Sequence, residues 1–176
     1  MSAIFNQEPV FVVTDTMLSE LKVRAKNAPL LRARICLHSD VEHPVQEMVI
    51  AFYKDTYVRP HRHIGTSESF HVMEGEIDVI FFDEVGKLTN RERLGGPETD
   101  FPSLYRLSEA KWHSVVVATE YAIVHEVSKG PFRRDQACFA PWSPSPEDRK
   151  GIDLFFEATR ASSPSKRNEA NSQSLF

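Results

Sequence analysis

Residues 60–68 read PHRHIGTSE, and the steps from His61 to His63 to Glu68 decide how this chain is to be folded. In an extended strand alternate side chains share a face, so His61 and His63 present two imidazoles about 7 Å apart at their Cα atoms, near enough to chelate one ion. Glu68 lies five positions after His63, an odd step that turns it to the wrong face of an unbroken strand. Gly65 supplies the bend that restores the parity. Once re-phased, Glu68, Phe70 and Val72 point inward together, while Ser69, His71 and Met73 point outward, which leaves His71 out of the ligand set.

A metal site needs a further donor from another strand, and the candidates are His113 and His125. His113 opens the alternating run HSVVVA, where Val115 and Val117 share its face, so an inward His113 has an apolar wall behind it. His125 sits mid-strand in YAIVHEV without comparable partner spacing, and His113 is the preferred fourth ligand.

The surrounding texture is that of an all-β chain. Short β-branched and aromatic runs occupy residues 46–53, 69–73, 76–82, 105–107, 114–118 and 121–127. Turn signals at 57–60, Glu74-Gly75, Gly95-Gly96-Pro97 and Thr119-Glu120 separate them, and many short strands with close turns argue for a sandwich or barrel. In the run 46–53, Met48, Ile50 and Phe52 form the inward set. Residues 87–103 are polar and rich in Gly and Pro, and are expected to form a long connection. One N-terminal helix is expected from the cap at Thr14 and the spacing of Met17, Leu18, Leu21 and Ala25, closed by Pro29. After Gly130, prolines at 131, 141, 144 and 146 oppose regular structure, so a strap is expected across the barrel with Phe139 and Trp142 buried, followed by a short helix over 152–159. The final stretch, ASSPSKRNEANSQSLF, has the composition of a disordered tail.

Bulk properties exclude several classes. A length of 176 residues with 41% hydrophobic content suits one domain with a proper core. A formal charge of -4, with Lys and Arg scattered, gives no footing for nucleic acid. No apolar run approaches the roughly 20 residues of a membrane helix and the N-terminus lacks a leader, so a cytoplasmic protein is expected. Cys36 and Cys138 lack any CxxC spacing and read as reduced packing residues. Trp112 reads as a packing residue.

The string H-x-H-x4-E-x6-G, here His61, His63, Glu68 and Gly75, resembles the first conserved cupin motif. His113 matches the histidine of the second motif, although that motif's glycine, proline and asparagine are Ala110, Ser108 and Val117 here. RARICLH (32–38), YVRPHRH (57–63), EGEIDVIFFDEVG (74–86), WHS (112–114), HEVSKGPF (125–132) and FAPW (139–142) together are similar to the WbuC-type cupin fold metalloproteins. That similarity covers about residues 14–145. It implies an all-β cupin double-stranded β-helix, a jelly-roll barrel, with an N-terminal helix and a C-terminal strap and short helix. Residues 1–160 would form a single cupin metalloprotein domain and residues 161–176 the tail.

Three imidazoles and one carboxylate leave two positions open on an octahedral ion, which favours Fe(II), Mn(II) or Ni(II), with Zn(II) possible but nearly filled. Gln46, Tyr53, Tyr57, Arg59, Phe70 and Arg34 are candidate neighbours at the barrel mouth, able to orient a small anionic or hydroxylated ligand. The resemblance implies a metal-dependent oxygenase, isomerase or lyase, with a link to sugar or surface-polysaccharide metabolism; a non-catalytic metal-dependent binding or sensor module and a purely structural metal are the other readings. A small-molecule partner such as a sugar or carboxylate, and a homodimer, are expected.

Overall fold

The computed structural model describes residues 4–133 and 137–161, so the C-terminal stretch read as a tail lies outside the described residues from 162 onward. Nine strands and two helices follow one another as β1 (Ile4–Phe5), α1 (Asp15–Lys26), β2 (Arg32–Cys36), β3 (Val45–Tyr53), β4 (His61–His63), β5 (Glu68–Phe82), β6 (Leu88–Gly95), β7 (Leu104–Leu107), β8 (Trp112–Lys129), β9 (Ala137–Phe139) and α2 (Arg149–Ala161).

The frame is a long antiparallel ribbon in which β5 pairs with β8 from Glu68↔Ser128 to Phe82↔Trp112. Its two halves belong to two different faces of a barrel. The first half, around residues 68–72 and 121–129, carries β7 on one side and β3, β2 and β1 on the other. The second half, around 77–82 and 112–117, carries β6 on one side and β4 with β9 on the other. The result is the cupin-type jelly roll expected from the sequence.

Glu74-Gly75 and Thr119-Glu120 are not turns between separate strands. Both lie inside continuous strands, where the ladder shifts register between Val72 and Glu74 and again between Gly75 and Ile77. Gly75 takes φ +72°, a left-handed conformation open to glycine, and the bulge folds the ribbon over. The amides it frees are satisfied: Gly75 N–H donates to Glu98 Oε1 at 2.8 Å and Glu76 N–H donates to Thr119 Oγ1 at 3.0 Å.

Three apolar layers hold the barrel. The interior packs Met48, Ile50, Phe52, Phe70, Val72, Ile77, Val79, Val115 and Val117, the inward sets of alternating strands. On the outer face of the first half, α1 covers Val49, Ala51 and Ile123 with Leu18, Leu21 and Ala25; Thr14 caps it by accepting from Met17 N–H. On the outer face of the second half, Ile80, Phe82, Trp112 and Val116 lie under Trp142 and Phe155.

Two expectations are corrected here. Residues 88–95 form β6 rather than part of a long connection, because their polar side chains have partners on the outer face: Arg91 donates to Asp78 at 2.7 Å and to the Thr159 carbonyl of α2, and Arg93 also bonds Asp78. The strap contains β9, which pairs with β4. Phe139 within it is 57% exposed rather than buried, its ring covered by the Arg59 guanidinium 5.0 Å away. Cys36 is a buried free thiol.

A methyl group on Gly75 would run into the Tyr121 carbonyl oxygen and add left-handed strain. Gly75→Ala is therefore expected to cost about 2–4 kcal/mol in urea unfolding. A loss below about 0.5 kcal/mol would show that the bend tolerates a side chain.

Candidate metal centre

His61 and His63 stand on the same face of β4, with Arg62 turned outward over the Trp112 ring at 4.1 Å and paired with Glu84 at 3.2 Å. His61 lies opposite His113 in the β4–β8 ladder. Gly65 takes φ +72° and makes the bend that delivers Glu68 to the start of β5 on the inward face. His71, two positions beyond Ser69, is exposed. The three imidazole rings lie 4.4, 4.8 and 5.5 Å apart between centroids, and one ligand atom from each of His61, His63, Glu68 and His113 falls within 4.8 Å of all the others.

The ring nitrogens are assigned by their partners. His61 Nδ1 meets the Arg59 carbonyl at 2.9 Å, and His113 Nδ1 meets the Lys111 carbonyl at 2.9 Å. A carbonyl oxygen only accepts, so each Nδ1 carries a proton and each Nε2 faces the cluster. Glu68 Oε2 lies 3.1 Å from His63 Nε2, and Oε1 lies 2.9 Å from His113 Nε2. That last pair is short, yet neither atom has a hydrogen-bond partner of acceptable alignment among the described residues, although both are fully buried. Two buried atoms at this distance that aim past one another rather than along an N–H axis suit two lone pairs converging on a common point. Three imidazoles and a carboxylate are the donor set of Fe, Mn, Ni or Zn sites, so the residues fit one such ion.

The electrostatics of His61 and Glu68 suit the same role. Burial, reinforced by the neighbouring imidazoles, pulls His61 down to about 3, so it is neutral with an Nε2 lone pair to offer. Burial opposes ionisation of Glu68, but its interaction with the nearby His113 and His63 rings outweighs that and holds the carboxyl below its usual range. Burial likewise pulls His113 down, and Glu68 more than reverses that.

The other candidates are dispersed. Phe70 is buried inside the barrel, one inward position beyond Glu68, with its ring 5.9 Å from that of Tyr105. Gln46 is buried on the inward face of β3, where its amide donates to the carbonyls of Asp40, Val41 and His43 and so braces a loop. Arg34 is exposed on β2 beside Met48. Tyr53 lies on the opposite face, against α1 and Tyr121, because strand parity turns it away from Phe52. The polar ends of Tyr57 and Arg59 are taken up by the strap: Tyr57 Oη donates to the Pro144 carbonyl at 2.9 Å and Arg59 Nε to Ser143 Oγ at 2.8 Å. Burial pushes the Tyr57 hydroxyl up to about 12. Trp112 is a packing residue, 5% exposed, with its indole N–H donated to Glu84. His125 faces outward to Glu47 at 2.9 Å.

Two inward polar groups escaped the sequence reading. Glu126 stands between Met48 and Phe70 in the ladders, both core residues, and Tyr105 lies across from Phe70 with its hydroxyl buried and without a hydrogen-bond partner among the described residues. The parity of Ala122, Val124 and Glu126 was the available signal for the first.

Burial first, and then the charge of Glu68, push Glu126 up to about 7, with Arg34, His113 and Arg32 acting in the other direction. A carboxyl raised in the fold binds more protons folded than unfolded between its ordinary 4.5 and about 7, so stability falls as pH rises through that window. In metal-stripped protein, Glu126→Gln is expected to stabilise by about 1–2 kcal/mol at pH 8 and hardly at all at pH 5. Equal effects at both values in thermal unfolding would contradict the assignment.

Comparisons with known proteins agree with the fold. A family model described as a domain of unknown function (DUF6016) matches residues 13–94. No curated protein sequence matches the chain. An oxalate oxidase in complex with the substrate analogue glycolate is similar in structure, with a TM-score of 0.50, 17% identity, and coverage of 78% of this chain and 69% of that one. A cupin superfamily protein from Desulfitobacterium hafniense aligns with a TM-score of 0.43 and 13% identity, over 56% of this chain and 76% of that one. A Shewanella oneidensis protein aligns with a TM-score of 0.46 and 10% identity, over 56% of this chain and 63% of that one, so the match spans less than two thirds of that relative. The chain has a cupin-type fold, and the four residues gathered inside it could hold a metal ion.

Proposed function

We propose that the chain is a WbuC-type cupin metalloprotein in which His61, His63, Glu68 and His113 hold one divalent ion, with Fe, Mn or Ni favoured and Zn possible, and that it is an enzyme acting on a small molecule. The observation that carries the metal is the orphaned pair of buried atoms, Glu68 Oε1 and His113 Nε2, 2.9 Å apart and aligned on no hydrogen bond. A buried, unmade contact between polar groups costs free energy, and a shared ion would remove that cost. A bound ion with open positions supplies Lewis acidity and a place for a ligand oxygen.

The protein's own part is to orient and to exclude water. Carbonyls of Arg59 and Lys111 fix the rings of His61 and His113, and the apolar interior beneath Glu68, with Phe70, Phe81 and Leu107, keeps water from that side. Access is from the His63 side: its side chain is 24% exposed, against 3% for Glu68 and 1% for His113. Oxygenase, isomerase and lyase chemistry all suit such a site, and the WbuC resemblance favours a sugar or surface-polysaccharide substrate. A cytoplasmic homodimer belongs to the same reading; no helix among the described residues is long and apolar enough to cross a membrane.

Elemental analysis of protein purified without added metal is expected to find one ion per chain. His61→Ala and Glu68→Ala are each expected to weaken its binding by about a hundredfold or more while the circular dichroism spectrum is kept. Unfolding on removal of the metal would point to a structural ion instead. Oxygen uptake by the Fe(II) form, followed across nucleotide sugars and keto acids, tests the oxygenase branch, and a flat trace for all of them counts against it.

A further inference from the structure

A recess of about 240 Å³ opens beside the candidate ion position, and its lining includes His63, Thr66, Ser67, Arg106, Ser108 and Lys129. It is built by the turn that follows the histidine clip. Thr66 Oγ1 donates to the Lys129 carbonyl at 3.0 Å, Lys129 N–H donates to the Ser67 carbonyl at 3.2 Å, and Arg106 Nη2 reaches Ser67 Oγ at 3.4 Å. These contacts tie the Gly65–Ser67 turn to β8 and β7. The recess therefore keeps a fixed relation to His63.

Its charge is unlike that of the chain. The protein carries a net charge of -4, yet the lining of this recess has two cations, three hydroxyls and no acidic side chain. Arg106 and Lys129 are both exposed and neither is paired with a carboxylate in a salt bridge among the described residues, whereas Arg62, Arg91, Arg93, Arg133 and Arg160 all are. Among the four gathered side chains it is His63, partly exposed, that lines this recess, so the recess adjoins the cluster directly.

We infer that the recess is an anion subsite, which takes a carboxylate or phosphate group of a small molecule whose other end occupies the open positions on the ion. This rests on the metal reading above and adds the substrate class: a compact molecule with a chelating end and a second negative group. Arg106 offers a planar fork to either oxyanion, Lys129 a point charge, and the hydroxyls of Ser67 and Ser108 further hydrogen bonds.

The test titrates the full-length Mn(II)-loaded protein by calorimetry with glycerate, malate and 3-phosphoglycerate at low salt. The last two are expected to bind about tenfold tighter than glycerate, the range of one charge-assisted contact at a partly exposed site. An advantage for malate alone identifies a carboxylate as the second group, and for phosphoglycerate alone a phosphate. Arg106→Gln with Lys129→Gln is expected to remove the advantage while leaving Mn(II) and glycerate affinity unchanged, and high salt is expected to shrink it in the unaltered protein. Equal affinities for all three, no binding of any, or an advantage that survives both the double substitution and high salt overturns the subsite. If Mn(II) itself does not bind, the metal reading fails and the subsite falls with it, a result distinct from Mn(II) binding without anion preference.

Discussion

Glu68 and His113 begin the two long strands of an antiparallel ribbon, and so they sit at its opposite ends. Phe81, the ladder partner of His113, follows Glu68 by 13 residues, which in a straight strand would separate the two ends by roughly 43 Å. Their side chains nonetheless lie 2.9 Å apart. That closure is possible because β5 and β8 bend together at the Gly75 bulge, which passes the ribbon from one face of the barrel to the other. The gathering of the four side chains is thus a consequence of barrel closure. Any change that relaxes the bend at Gly75 acts on the ligand set without touching it.

Closure brings groups together that do not favour one another. A carboxylate and three imidazoles are packed at the edge of an apolar interior, with Glu126 and the Tyr105 hydroxyl close behind them. Without an ion, Glu68 is stabilised by the imidazoles, and the alignment of its contact with His113 is poor. Burying polar groups in this state costs stability that a purely structural core would not give up. The surrounding hydrogen bonds hold the cluster in place: carbonyls of Arg59 and Lys111 fix two rings, and Arg59, Tyr57 and Ser143 fasten the strap beside β4. The site is pre-organised by contacts that lie outside it.

Much of this was legible in the residues. The HxH step on an extended strand, the parity break before Glu68 and the glycine that repairs it are local, and local geometry is what a sequence states most directly. The alternation beginning at His113 likewise placed it on the inward face. Long-range order was less visible. Glu74-Gly75 and Thr119-Glu120 carry turn chemistry, and only their pairing with one another makes them bends within continuous strands. The strand 88–95 was hidden because its outward face carries Arg91 and Arg93, which pair with Asp78 of β5, rather than apolar residues. Tyr53 is one residue from an inward position, and its parity sends it to α1. Glu126 was overlooked because a carboxylate in a core-facing position contradicts the hydrophobic pattern, and such contradictions gather at functional sites.

The claim on which the rest stands is that one ion sits among four named side chains. Anomalous diffraction from crystals grown with Mn(II), recorded on either side of the manganese edge, tests it directly. The expected result is a single strong peak inside the barrel, roughly 2.0–2.3 Å from Nε2 of His61, His63 and His113 and from a Glu68 oxygen. A map with no peak there, with His113 Nε2 turned into a well-aligned hydrogen bond to Glu68, would contradict it.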